Sequence, residues 1–178
     1  MLASSGQIPR RDSGLFLLAQ AVIESIETFK CDNVVFDESL ETVLNWTNAE
    51  HEQGRRIVTL TKSKQNNCIL VSLSNVYPQI QVSIIKFEGM FYVSSVDVIL
   101  LYEFISDSLI DNQKRIRVRR ILEEFKPLLC KKGTDFYRRV MEYSNPKPRK
   151  VEKSTKMFEW KYIVSILAKM DSYLGSSD

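Results

Sequence analysis

RIVTLTKSKQNNCILVSLSNVYPQIQVSIIKFEGMFYVSS, residues 56–95, decides the fold. Four runs stand out in it: Arg56–Thr61, Cys68–Ser74, Ile80–Phe87 and Met90–Ser94. Each is short and rich in β-branched or aromatic residues, and several alternate apolar with polar, the period of a strand with one face buried. Gln65-Asn66-Asn67 and Glu88-Gly89 lie between neighbouring runs. Asn and Gly there supply the positive φ angles that tight hairpins need. Pro78 interrupts the longer link between the second and third runs. Four strands in an antiparallel meander are predicted.

On both sides of this stretch the period changes to that of a helix. Upstream, Leu15, Leu18, Ala19, Val22, Ile23 and Ile26 recur at helical spacing behind Ser13, which predicts a capped amphipathic helix over 14–30. A second, short helix is predicted over 38–45, and Thr47-Asn48-Ala49-Glu50 has the form of a capping box, with Gly54 ending the turn it opens. Downstream, Val96, Ile99, Leu100 and Phe104 mark a helix that begins at Ser95, with Asp97 at the positive end of its dipole. Val118, Ile121, Leu122 and Phe125 mark the next, which Pro127 stops. Thr134 or Asp135 caps another that carries Phe136, Tyr137, Val140 and Met141. The last is predicted from about Lys156 to Leu174, with Ile163, Ile166, Leu167 and Met170 inward. The expectation is an α+β domain over 14–174, a roughly four-stranded antiparallel sheet covered by N- and C-terminal helices, between disordered tails at 1–13 and 175–178.

Charge is distributed unevenly along the chain. Residues 112–156 hold fifteen Lys and Arg against five Asp and Glu, a local charge of +10, while the remainder carries −7, so the overall +3 conceals a dipolar molecule. Clustered cations gain free energy by neutralising phosphates and releasing their counterions. The candidates are Lys114, Arg115, Arg117, Arg119 and Arg120 on the predicted basic helix, with Arg115 or Arg119 reaching phosphates or guanine edges. Lys147, Arg149 and Lys150 lie in Asn145-Pro146-Lys147-Pro148-Arg149-Lys150, where two prolines impose a stiff extended arm. The expected partner is duplex DNA or an acidic regulatory protein, since Lys and Arg bind either. Five cations between Lys114 and Arg120 do not fit on one side of a helix, so some of them point away from any single ligand.

Several other classes find little support. With 178 residues and 44% hydrophobic content the chain has the material for one ordinary core. No apolar run approaches the roughly 20 residues that span a bilayer, and no secretory signal is read at the start. Cys31, Cys68 and Cys130 are odd in number and lack ligand spacing, which fits reduced, buried thiols. His51, the single histidine, sits between two acids in a polar segment and reads as an exposed helix residue. Without a triad, a phosphate loop or a metal frame, neither an enzyme, a cofactor nor a small-molecule substrate is expected. Trp46 and Trp160 read as core anchors.

Ordered motifs then carry a likeness: Asn45-Trp46-Thr47, Arg55-Arg56-Ile57-Val58, Phe91-Tyr92-Val93-Ser94-Ser95-Val96-Asp97, Lys114-Arg115-Ile116-Arg117, the Asn145–Lys150 arm and Phe158-Glu159-Trp160-Lys161. In their order and separations the tract from Asn45 to Lys169, about seventy per cent of the chain, resembles the C-terminal domain of fungal medusa-type developmental regulators. Glu159 departs from the family by standing where it often has a proline. The resemblance implies a role in the nucleus in transcriptional control of development.

Overall fold

A computed structural model describes residues 33–36, 45–65, 68–143 and 154–175. The expected tail at 1–13, the helix over 14–30, the body of the helix over 38–45 and the arm carrying Lys147, Arg149 and Lys150 lie outside the described residues. What is described is α+β, built on one sheet of seven strands rather than four. These are β1 (Asn33–Phe36), β2 (Arg55–Gln65), β3 (Cys68–Leu73), β4 (Gln79–Phe87), β5 (Met90–Ser94), β6 (Leu128–Cys130) and β7 (Thr155–Glu159). Their order is β1-β3-β2-β4-β5-β7-β6, all antiparallel except β1 on β3.

The four predicted strands are β2 to β5, and the arrangement corrects the meander. β4 does not lie beside β3; it crosses to the other side of β2, so the eleven-residue β2 pairs on both edges. The link can make that crossing because it is five residues long, Ser74 to Pro78, and Thr61 Oγ1 fastens it by donating to the Pro78 carbonyl at 2.8 Å. β7 replaces the start of the predicted last helix. Tyr92, Val93 and Ser94 face Glu159, Phe158 and Met157, and this pairing holds the segment extended.

Helices lie on both sides of the sheet. Short α1 (Asn48–Gln53) carries the predicted capping box: Thr47 Oγ1 accepts from Glu50 N at 3.3 Å, and Thr47 N donates to the Glu50 carboxylate at 2.7 Å. Gly54 ends it at φ +67°, in the left-handed region. α2 (Ser95–Ser106) follows β5 directly, with Ser94 as N-cap accepting from Asp97 N at 3.0 Å. Its apolar surface is no narrow stripe, because eight of its twelve residues are buried, Asp97 and Glu103 among them. Then come α3 (Asn112–Ile121), a 3-10 turn at Leu122–Phe125, α4 (Asp135–Glu142, capped by Thr134), a 3-10 turn at Trp160–Tyr162 and α5 (Ile163–Gly175). Gly175, expected to fray, is the last residue of α5.

The alternation of side chains along each strand divides the core in two. Val58, Leu60, Val82, Ile84, Val93 and Phe158 pack with α2, α5, Val118 and Leu122 on one face. Ile85, Met157 and Cys130 pack with Phe136 and Val140 of α4 on the other. Trp46 and Trp160 are both buried in the larger core, Trp46 edge-on to Phe91 at 5.0 Å.

Candidate nucleic-acid interface

α3 sits on the larger-core side of the sheet and lies unusually shallow. Of its ten residues only Val118 is buried. Asp111 begins it, its carboxylate accepting from Lys114 N at 2.8 Å. Asn112, Gln113, Ile116, Arg117 and Arg120 are exposed, whereas Lys114, Arg115, Arg119 and Ile121 flank the buried edge.

The five predicted cations therefore separate. Arg115 turns inward: one terminal guanidinium nitrogen lies 2.7 and 3.0 Å from the two oxygens of Glu103 on α2. Glu103 is buried, and the same carboxylate accepts from Ile110 N at 2.8 Å, so it ties the α2–α3 connection and α3 to one point. Arg115 thus has a structural partner, whereas the sequence groups it with the outward-facing cations. Arg119 is half-buried; burial, and secondarily the charge of Arg115, push its pKa down. Its carbonyl accepts from Lys156 Nζ of β7 at 3.2 Å, and Lys156 also pairs with Glu123. That hydrogen bond, chiefly, holds the Glu123 carboxyl below its usual range. Lys169 of α5 pairs with Glu124 at 3.2 Å. Arg117 and Arg120 project outward and make no ion pair among the described residues.

Between the ends of α1 and α4, on the opposite side of the sheet, lies a cleft of about 630 Å³ lined by Glu50, Glu52, Arg55, Arg56, Arg139 and Tyr143, among others. Buried Arg55 donates from Nε to Ser83 Oγ at 2.9 Å and lies 5.3 Å from the Tyr143 ring centre. The Tyr143 hydroxyl donates to the Gly54 carbonyl at 2.9 Å, and Arg139 reaches the Glu52 carbonyl at 3.4 Å. Burial lowers the Arg55 pKa and raises that of Tyr143. Acids and bases both line the cleft, and its most buried groups hold the end of α1 to α4. The sequence reading missed this cluster. Its one local signal is Gly54-Arg55, a cap glycine followed by a charge at an inward strand position.

His51 is exposed, its Nδ1 3.3 Å from Lys86 Nζ. Asp97 is no free acid: its carboxylate accepts from Ser94 Oγ at 2.9 Å within the cap and its charge also acts on buried Arg55. Among the described residues no group of His, Cys, Asp and Glu is placed to hold a metal ion, and no helix is long and apolar enough to cross a membrane.

Neither the curated proteins nor the solved structures contain a match. A family model does match, over residues 30–170, an interval that takes in the whole sheet, α3 and the cleft. The chain therefore belongs to the family described as the domain of unknown function DUF7082.

Proposed function

We propose that this chain is a nuclear regulator of fungal gene expression and development that docks on duplex DNA through the outer face of α3. One observation carries the reading: Arg117 and Arg120 are exposed and make no close ion pair among the described residues, on a helix that fully buries only Val118. Exposed cations not held in a close ion pair stay available to phosphates, and a shallow helix is free to approach a groove. Lys114 and Arg119 lie at the edges of this face, and Lys147, Arg149 and Lys150, outside the described residues, are proposed as further phosphate contacts. The likeness to medusa-type regulators supports the nuclear and developmental part of the proposal. Recruitment of an acidic co-regulator by the same surface is the second reading, favoured by Leu109, which stands 92% exposed just ahead of α3.

Titration of labelled duplex DNA across about 50 to 200 mM salt tests the proposal, each phosphate contact contributing about 0.9 to the slope of log K against log salt. R117A/R120A should weaken binding to any duplex and flatten that slope by about two units. Absence of binding at the lowest salt, or equal slopes for wild type and the double variant, would remove α3 as a DNA contact in favour of the acidic partner.

A further inference from the structure

We infer that α3 reads base pairs in the major groove and that Ile116 recognises thymine there through its 5-methyl group. The inference rests on the docking reading above and adds a sequence preference to it.

Phosphate contact alone needs only cations, and Ile116 is not one. It is 53% exposed in the middle of the outer face. At about 100° per residue it points some 160° away from Val118, the residue that fixes α3 to the core. Ile116 therefore has no packing duty. Its neighbours on the helix surface are Gln113 one turn before and Arg120 one turn after, with Arg117 alongside. This set matches base edges: Gln pairs with the N6 and N7 of adenine, Arg with the O6 and N7 of guanine, and an apolar group with the thymine methyl.

The groove follows from dimensions. A helix with side chains is about 10 to 12 Å across, which the major groove of about 12 Å admits and the minor groove of about 6 Å does not. Ten residues at about 1.5 Å each span about four base pairs. RNA is disfavoured twice over, since the A-form major groove is too narrow for side chains to read and uracil lacks the methyl. Glu103 contributes from behind. By holding Arg115 and the Ile110 amide at once, it fixes the rotation of α3 about its axis and so decides which residues face outward.

The test begins with random-sequence duplexes enriched on the full chain by rounds of binding and amplification. The enriched duplex is then remade with deoxyuridine in place of each thymine in turn. We expect a consensus containing thymine, and one position where deoxyuridine weakens binding about fourfold, the effect of one buried methyl. I116A, which truncates an exposed side chain, should bind the thymine and deoxyuridine duplexes equally. Salt-dependent binding with no consensus, neutral replacement at every thymine, or discrimination that survives I116A would overturn the inference and leave docking on phosphates standing. A chain that binds no duplex at the lowest salt sinks both readings, and an acidic peptide becomes the ligand to try.

Discussion

Arg115 and Glu103 are twelve positions apart, and one guanidinium nitrogen of the former reaches both carboxylate oxygens of the latter. The pair is unequally buried, with side chains 27% and 6% exposed respectively, so its attraction is only partly screened by water. It converts a surface helix with one buried residue into an element of defined orientation.

Replacing Glu103 by Ala strands the Arg115 charge and the Ile110 amide together. Urea unfolding should show a loss of about 2 to 4 kcal/mol, from an uncompensated, partly buried charge and an unmet donor. A loss under half a kilocalorie would mean that the pair does not hold α3.

Ile99 lies in the larger core between the sheet and α5, 2% exposed. Ile99→Ala should cost about 2 to 4 kcal/mol in the same measurement, combining lost transfer energy with the cavity left behind. An unchanged midpoint would place α2 outside the core.

Gly54 combines a left-handed backbone with close neighbours. A methyl there would sit 3.1 Å from a terminal nitrogen of Arg139 and 3.4 Å from the Lys86 carbonyl. Gly54→Ala should therefore cost about 1 to 3 kcal/mol. Tyr143→Phe, which removes the hydroxyl that donates to the Gly54 carbonyl, should cost about 1 kcal/mol. Calorimetric melting of both variants checks the α1–α4 junction, and two wild-type melting curves would dissolve it.

Alkaline pH should loosen the smaller core. Burial raises the pKa of the Cys130 thiol, as it does those of the Tyr92 and Tyr143 hydroxyls. A pKa raised on folding means that the neutral form is favoured in the native state. Its contribution is complete below the unfolded value, 9.0 for the thiol, and is lost as pH rises through the folded one. Stability should fall from about pH 9 upward, and Cys130→Val should delay the onset. A flat profile between about pH 8 and 11 would contradict the assignment.

Local chemistry made much of this fold legible. Thr47 and Glu50 announce their capping box by spacing alone, and β2 to β5 announce themselves by alternation. β6 and β7 do not. Leu128–Cys130 is too short to show a period, and Thr155–Glu159 is extended because Val93 and its neighbours pair with it across more than sixty residues of sequence. The basic cluster was visible as charge but not as direction. Arg115 and Arg117 look alike in the sequence, and only Glu103, on a different helix, turns one inward and leaves the other in solvent.

The sheet order also governs how the molecule is made. β6 is synthesised before β7 yet pairs with no other strand among the described residues, and the outer edge of β5 stays open until residues 155–159 arrive. A nascent chain halted before Thr155 would expose that edge, with Val93 beside it, to any neighbouring polypeptide. Chaperone dependence and aggregation of early-terminated products should consequently be decided at this single seam, where the last strand enters between two that were waiting for it.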